Sequence, residues 1–189
     1  TNYGGRYSEI EPEPVFENNL SAGEFTNNTF NDQLTLDLID VTSAKEMLEA
    51  SLSSFKGTDI SILSAAVADY RPKEVSTLKI KKDSSSFELE LVKTSDILTT
   101  LGQKKKSGQI LVGFALETDN EVANAIKKLE KKNLDFIVLN SLNDEGGAFK
   151  NDNNKITIID RDHHKESFDL KPKNEVAVDI CKKVLDLLQ

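Results

Sequence analysis

The sequence contains one cysteine, no tryptophan and no long apolar run. A single thiol, Cys181, excludes an internal disulfide framework and a cluster of thiolate metal ligands. No apolar stretch approaches the length of a membrane-spanning helix, and no charged-then-apolar amino terminus suggests secretion. The net charge of -8 argues against nonspecific binding to nucleic acid. These absences predict a soluble cytoplasmic protein that has neither a membrane nor a nucleic acid as its partner.

The length of 189 residues allows one sizeable hydrophobic core, so the sequence predicts one main domain. Residues 1–33 are rich in Asn, Glu, Thr and Gly, include Pro12 and Pro14, and show neither helical nor strand periodicity. We therefore expect a poorly ordered polar arm at residues 1–33 and a folded domain at residues 34–189.

Apolar runs alternate with capped amphipathic segments through the rest of the chain. The apolar runs predict strands near residues 34–41, 59–64, 109–115 and 134–139. Helical spacing predicts helices near residues 43–55, 95–106, 119–132 and 174–188. Ser43 with Glu46 and Thr118 with Glu121 read as capping boxes, and Asn174 as the cap of the last helix. With a hairpin at residues 155–160 and 166–170, the pattern predicts an α/β fold, a Rossmann-like three-layer sandwich with a mostly parallel sheet and a late antiparallel hairpin.

The second predicted strand ends in a run of small side chains. Ile60, Ile62 and Leu63 read as a short buried strand, and from Ser64 to Ala68 every residue is Ser or Ala except Val67. Asp69 then places a carboxylate at the rim. Ligands of open α/β sheets bind beyond the carboxyl ends of the strands, where small residues allow close approach to the backbone. A tightly packed strand-to-loop crossing is the plainer alternative.

Two groups of lysines are candidate anion-binding residues. Residues 78–82 read as a strand that pairs with residues 87–92 and carries Lys79, Lys81 and Lys82. On a helical wheel Lys128 and Lys132 lie together beside the apolar face of the third helix. The plainer alternatives are an edge strand protected from aggregation and helix-flank charges that cover apolar surface.

Histidine and cysteine offer no clear chemistry. His163 and His164 stand together in the predicted hairpin turn, and no third metal ligand is evident from the sequence. We expect both to be solvated turn residues, and we predict no metal site. Cys181 lies near the apolar stripe of the last helix, which predicts a small core residue.

From residue 34 onward, a series of short motifs resembles the phosphopantothenate–cysteine ligase family, the second activity of bifunctional coenzyme A biosynthesis flavoproteins. The motifs occur in the order of the family: Ser64-Ala65-Ala66-Val67-Ala68-Asp69-Tyr70, Lys79-Ile80-Lys81-Lys82, Leu91-Val92-Lys93-Thr94-Ser95-Asp96-Ile97, Val112-Gly113-Phe114-Ala115-Leu116-Glu117-Thr118, and Lys128 and Lys132 with Asn133-Leu134-Asp135. Each motif alone is weak, but the ordered set is specific.

The resemblance implies a ligase that activates the carboxylate of phosphopantothenate with CTP, or with ATP as in the animal enzymes, together with Mg²⁺, and then couples it to cysteine. It implies Lys79 as the catalytic lysine. The nucleotide-binding residues that it implies are Leu63, Ser64, Ala65, Asp69, Lys79, Ser95, Asp96, Ile97, Leu98, Phe114, Lys128 and Lys132. A homodimer and a flavin-containing decarboxylase partner are also expected.

The sequence departs from the family pattern at two places. Ser95 stands where the family usually carries proline. The family begins with a strand, a loop of Gly and Ser after a functional Asn, and a helix, whereas no segment before Leu34 has that pattern, so we expect this unit to be missing. A nucleotide-binding module without ligase turnover and a half-domain that acts through a partner chain are therefore alternatives to the complete ligase.

Overall fold

The computed structural model describes residues 37–76, 78, 88–141 and 152–189. The chain divides into two units, Thr1–Leu38 and Ile39–Gln189, and the description below concerns the second. The expected polar arm at residues 1–33 and the lysine run at residues 79–82 lie outside the described residues.

The described helices and strands alternate for most of the chain, as the sequence pattern predicts. The helices are α1 Ala44–Phe55, α2 Ile97–Lys104, α3 Glu121–Lys131 and α4 Lys173–Asp186. The strands are β1 Ile60–Leu63, β2 Tyr70–Pro72, β3 Leu91–Lys93, β4 Ile110–Glu117, β5 Phe136–Ser141, β6 Asn153–Asn154, β7 Ile156–Asp160, β8 Lys165–Ser167 and β9 Lys171–Pro172.

The central sheet has the strand order β1-β4-β5-β7-β8. Strands β1, β4 and β5 are parallel, whereas β7 and β8 form the late hairpin and run antiparallel. Because β1, β4 and β5 share a direction, their carboxyl ends meet at one edge of the sheet. Two short antiparallel ribbons, β2 with β3 and β6 with β9, flank this sheet.

Both faces of the sheet are covered, which makes the three-layer sandwich. Alternate residues of β4 and β5 point to opposite faces. Leu111 and Ile137 join the core formed with α1, α2 and α3, whereas Val112 and Phe136 join the core formed with α4. The near-continuous apolar runs of β4 and β5 follow from this double burial. The α/β prediction with a mostly parallel sheet and a late hairpin is confirmed.

The prediction of a strand at residues 34–41 is wrong for residues 37–41, which are the part of it that the structure describes. Residues 37–41 form no strand, and Leu38 and Ile39 are 79% and 58% exposed. Strand β1 is not buried as expected, because it ends the order of the sheet. Ile60 and Ile62 are 36% and 44% exposed. An apolar run becomes a buried strand only where neighbours cover it, and its own residues do not specify those neighbours.

The ribbon of β2 with β3 was not predicted, and the predicted pairing of residues 78–82 with 87–92 falls mostly outside the described residues. Strand β3 begins at Leu91, and within the described residues it pairs with β2, with Tyr70 opposite Lys93. No strand was predicted at residues 70–72. Pro72 is accommodated because it ends a short strand of this two-stranded ribbon.

Helix α1 begins as predicted, since Ser43 and Glu46 form a capping box. Two other predicted caps are wrong. The cap of α3 is Asn120 rather than Thr118, with a positive φ of 46°, a conformation that asparagine tolerates. Helix α4 follows β9 directly, so Pro172 holds the cap position in place of Asn174.

Cys181 is exposed on α4, which contradicts its expected place in the core. The apolar stripe of this helix is formed by Val176, Ile180 and Val184.

None of the described helices is both long and apolar enough to cross a membrane.

Candidate active site

Two adjoining clefts open at the carboxyl ends of the parallel strands. The small cleft, of about 140 Å³, lies between the segment after β1 and the start of α2. The large cleft, of about 650 Å³, lies between that segment, the end of β4, the end of β5 and the start of α4. Leu63, Ala65 and Val67 line both clefts and form the wall between them. The larger volume is typical of a site for a small-molecule ligand.

The structure brings eleven of the twelve candidate site residues to these clefts. Those that line the small cleft are Leu63, Ala65, Asp69, Ser95, Asp96, Ile97, Leu98 and Lys132. Those that line the large cleft are Leu63, Ser64, Ala65, Phe114 and Lys128. The twelfth, Lys79, lies outside the described residues.

The floor shared by the two clefts follows from the small residues after β1. Strand β1 ends at Leu63, where it pairs with Gly113 of β4. Beyond it the Ser and Ala side chains leave the backbone accessible to a ligand. Thr94 donates its backbone N–H to the Asp69 carbonyl at 2.8 Å, which ties the segment after β1 to the segment before α2.

In the small cleft Lys132 is paired with a carboxylate. Its Nζ lies 2.9 Å from Oδ2 of Asp96, whose other oxygen caps α2 by accepting from the Thr99 N–H at 2.9 Å. Burial raises the pKa of Asp96, but the hydrogen bonds from Thr99 and Lys132 outweigh it, so this pKa is below its ordinary value. An anionic ligand at this cleft would meet a lysine that already has a counter-ion.

In the large cleft Lys128 has its own carboxylate partner. Its Nζ lies 2.6 Å from Oε1 of Glu117, at the end of β4. Glu117 is 13% exposed and Lys128 43%, so the carboxylate is the more deeply placed partner. Asn124 holds the second oxygen of Glu117 at 3.4 Å. The pair directs the lysine to the carboxyl end of the sheet, where ligands of such folds bind.

Lys128 and Lys132 therefore line different clefts, although the helical wheel placed them on the same edge of the third helix. Helix α3 ends at Lys131, and Lys132 is the residue that terminates it, with φ −98° and ψ 6°. The change of backbone conformation removes Lys132 from the helical register on which the wheel depends.

Four residues of the large cleft were not found from the sequence: Asn140, Asn153, Asn154 and Lys173. Asn140 lies near the end of β5, and Asn153 and Asn154 form β6. Residues 140–154 have the composition of a polar loop, because a two-residue strand has no periodicity. The available signal was an asparagine directly after an apolar strand and two more directly before the next one.

The end of the last quoted motif, Asn133-Leu134-Asp135, lies at the opposite end of the sheet and lines neither cleft. The Asp135 carboxylate accepts from the Leu111 N–H at 2.6 Å and pairs with Lys105 and Arg161. Burial lowers the pKa of Lys105 and the Asp135 carboxylate opposes that shift. Asn133 has a positive φ of 53° and donates to the Gly102 carbonyl at 2.9 Å. These residues join α2, α3, β4 and β7, so their part in the site is indirect.

The histidines lie in the turn between β7 and β8, and both are exposed, as expected. One of them, His164, lies in a group of potential metal ligands. The ligand atoms of Asp160, Asp162 and His164 lie within 4.8 Å of one another. One oxygen of Asp160 accepts from the N–H groups of Asp162 and His164, and the other pairs with Lys183. These bonds explain the cluster as the internal structure of a turn.

Residues 23–188 match the family model described as the DNA/pantothenate metabolism flavoprotein C-terminal domain. The chain belongs to this family. The domain is 52% identical over 153 residues to a cysteine/cysteine sulfinic acid decarboxylase from an unknown prokaryotic organism, a match that covers 81% of this chain and 43% of that protein. It is 45% identical over 151 residues to the coenzyme A biosynthesis bifunctional protein CoaBC of Bacillus subtilis, covering 80% of this chain and 37% of that protein.

A solved structure of the same family agrees with the fold. The C-terminal domain of a coenzyme A biosynthesis bifunctional protein CoaBC superposes with a TM-score of 0.64 at 39% identity, covering 79% of this chain and 67% of that one. The flavoprotein C-terminal domain described here thus spans less than half the length of the two relatives above.

Proposed function

We propose that the chain is a phosphopantothenate–cysteine ligase domain that acts in coenzyme A biosynthesis. The observation that carries the proposal is the pair of adjoining clefts at the carboxyl edge of the sheet, each with a lysine that the resemblance assigns to nucleotide binding. Relatives named for coenzyme A biosynthesis match 80% and 79% of this chain, which supports the assignment.

The proposed reaction has two steps. A carboxylate oxygen of phosphopantothenate attacks the α-phosphorus of the nucleotide and pyrophosphate leaves. The amine of cysteine then attacks the carbonyl of the acyl-nucleotide, the amide forms, and the nucleoside monophosphate leaves as the amine loses a proton. Such chemistry needs the reactants held in line and the phosphate charge neutralised.

The cleft residues fit those requirements. Lys128 and Lys132 would neutralise phosphate charge, each exchanging or sharing the carboxylate that now holds it. Phe114 would pack against the nucleotide, and the backbone around Ala65 would form its floor. Asp69 would anchor it at the rim. Lys79, the proposed catalytic lysine, would steady the acyl-phosphate.

The nucleotide that we propose is CTP, with ATP as the alternative, and Mg²⁺ would arrive bound to its phosphates as part of the substrate. The further proposals are a cytoplasmic homodimer and a flavin-containing decarboxylase partner. A nucleotide-binding module without turnover, or a half-domain that acts through a partner, is the alternative. The decarboxylase name of one relative belongs to a protein of which this chain matches 43%.

Calorimetric titration with CTP and with ATP in magnesium tests the binding half of the proposal. Lys128→Ala should weaken nucleotide binding about tenfold or more, because it removes a charge-assisted bond to phosphate. Lys127→Ala is the matched control, since Lys127 is the exposed neighbour of Lys128 on the same helix. If the two variants bind the nucleotide with equal affinity, Lys128 is an ordinary surface charge and not a nucleotide-binding residue.

Amide formation from phosphopantothenate, CTP and cysteine tests the catalytic half. Lys79→Gln should lower turnover strongly and nucleotide affinity much less, the pattern of an interaction made mainly in the transition state. Lys82→Gln is the control, because on a strand Lys79 and Lys82 would lie on opposite faces. Equal turnover of both variants would refute the catalytic role. A chain that binds nucleotide and makes no product supports the module without turnover.

A further inference from the structure

A cavity of about 460 Å³ lies at the amino ends of the parallel strands, and we call it the distal cavity. It lies between the ends of α1 and α2 and Gln109, the residue directly before β4. The residues that line it line neither of the two clefts at the carboxyl ends of the strands. Its volume is within the range of small-molecule sites, and the proposed reaction gives it no role.

The rim of the distal cavity is basic. Three exposed lysines line it, namely Lys56, Lys104 and Lys106. Within the described ranges of the chain, no carboxylate oxygen lies within 4.0 Å of the Nζ of any of the three. The one carboxylate that the described residues contribute to the lining is that of Glu49, which lies 3.8 Å from Lys45.

Two of these lysines belong to the run Lys104-Lys105-Lys106, whose members differ in environment. The side chain of Lys105 is 6% exposed and pairs with Asp135. Helix α2 ends at Lys104, and Lys105 has an extended backbone with ψ 131°. Since side chains alternate along an extended backbone, Lys104 and Lys106 lie on the side opposite Lys105. The pairing with Asp135 therefore accounts for the middle lysine alone.

Helix ends account for only part of the charge on the rim. The carboxyl terminus of a helix is equivalent to about half a negative charge, and both α1 and α2 end here. Together with the Glu49 carboxylate they offset about two of the three ammonium charges. The rim therefore keeps a positive excess in a protein whose net charge is -8, and a local excess of this sign favours an anion.

The floor of the distal cavity is apolar. Leu52 and Phe55 of α1 line it, and both belong to the hydrophobic packing between α1, α2 and the sheet. Phe55 is 5% exposed, so this floor is part of the core. An inorganic anion would leave the floor without a partner, whereas a ligand with an apolar part next to its anionic group would contact both floor and rim.

Hydrogen bonds from Gln109 hold the two sides of the distal cavity together. Its Nε2 donates to the carbonyls of Phe55 at 2.8 Å and Thr58 at 2.7 Å, and its Oε1 accepts from the Lys106 N–H at 2.9 Å. The backbone of Lys106 is thereby fixed to the end of α1. A site of this kind is formed before the ligand arrives, so less conformational entropy is lost on binding.

We propose that the distal cavity binds a small amphipathic anion, in which an apolar chain or ring is joined to a phosphate or sulfonate group. The apolar part would lie on Leu52 and Phe55, and the anionic group would be neutralised by Lys56, Lys104 and Lys106. The inference does not rest on the proposed function, because none of the lining residues takes part in the proposed reaction.

The test is calorimetric titration of the full chain with octyl phosphate, inorganic phosphate and octyl glucoside. Octyl phosphate should bind at least tenfold more tightly than either other probe, because only it has both the apolar and the anionic part. Lys104→Gln with Lys106→Gln should weaken octyl phosphate binding about tenfold, since two exposed charge pairs are lost. Lys127→Gln with Lys131→Gln is the matched control, because both lysines are exposed on α3 and line neither the distal cavity nor a cleft. Equal urea midpoints of the two double variants establish that the fold is intact.

Several results would overturn the proposal. Equal octyl phosphate affinities of the two double variants would remove the basic rim from the site. Loss of affinity in Lys128→Gln with Lys132→Gln, and not in Lys104→Gln with Lys106→Gln, would place the anion in the clefts. Equal affinities for octyl phosphate and inorganic phosphate would exclude a contact with the apolar floor, and equal affinities for octyl phosphate and octyl glucoside would exclude a role of charge. A chain that binds none of the three probes would refute the site and leave the proposed function untouched.

Discussion

Replacing Gly102 by alanine should destabilise the protein, because α2 approaches the end of α3 through this residue. A Cβ at Gly102 would lie 1.9 Å from the carbonyl oxygen of Lys132 and 2.8 Å from its carbonyl carbon. Both are backbone atoms, so no rotamer change can relieve the overlap. One helix must move away from the other by about 1.5 Å to restore ordinary van der Waals contact.

The expected magnitude follows from two opposing effects. Overpacking of a buried site costs roughly 1–3 kcal/mol, and contact with two backbone atoms favours the upper part of that range. Alanine is the better helix former by about 1 kcal/mol, which offsets part of the loss. The free energy of unfolding should therefore fall by about 1–2 kcal/mol. The 2.9 Å bond from Asn133 to the Gly102 carbonyl lengthens in the same movement.

Urea unfolding followed by far-ultraviolet circular dichroism measures this effect, because the chain has no tryptophan to report it by fluorescence. The midpoint should fall at unchanged slope. Gly57→Ala is the matched control, since a Cβ there meets nothing within 4 Å and the residue has no positive φ. It should leave stability unchanged or raise it by about 0.4–1 kcal/mol. Equal midpoints for the two variants would refute the close approach of α2 to α3.

Three further predictions concern side chains that connect elements. Asp96→Asn should lower stability at neutral pH and flatten its acid limb in urea titrations from pH 3 to 7. The lowered pKa of Asp96 contributes stability that is present above its unfolded value of about 3.9 and is lost as the pH falls through the folded one. Gln109→Ala should cost about 1–3 kcal/mol in the same assay, because its amide donates to the carbonyls of Phe55, the last residue of α1, and Thr58 at 2.8 and 2.7 Å. Asn133→Ala should cost about 1–3 kcal/mol, and more than Arg161→Ala, because it removes a bond to each of two elements and places alanine at a positive φ.

The parts of the fold that could be predicted from the sequence are those in which each residue is constrained by a repeating environment. In β4 and β5 both faces are buried, so the apolar run is uninterrupted and its length defines the strand. Helix α1, of 12 residues, has its apolar spacing within the helix and its cap at the preceding residue, and the capping box of Ser43 and Glu46 is local in sequence. Local signals of this kind depend on no distant partner.

The misplaced strands share a physical cause, which is dependence on a distant neighbour. The run at residues 34–41 alternates until its last residues, but residues 37–41 have no strand beside them in the described structure. Strands β6 and β9 have two residues each and exist only because they pair with one another across 17 or more residues. Their pairing positions Asn153 and Asn154 at the large cleft, so these two cleft residues were missed together with the strands.

The carboxylates that pair with Lys128 and Lys132 could not be predicted either, because each lies on a different element from its lysine. These pairs affect how the clefts would bind an anion. A carboxylate at 2.6 or 2.9 Å orients the ammonium group of each of these lysines. A phosphate that enters must compete with that carboxylate for the same ammonium group. The free energy gained on binding is then smaller than for a lysine without a partner. The entropy lost in orienting the lysine is also small, because Glu117 already holds Lys128 and Asp96 already holds Lys132. This arrangement favours selectivity for multiply charged phosphates over weaker anions, since a carboxylate ligand could not improve on the partner that it displaces.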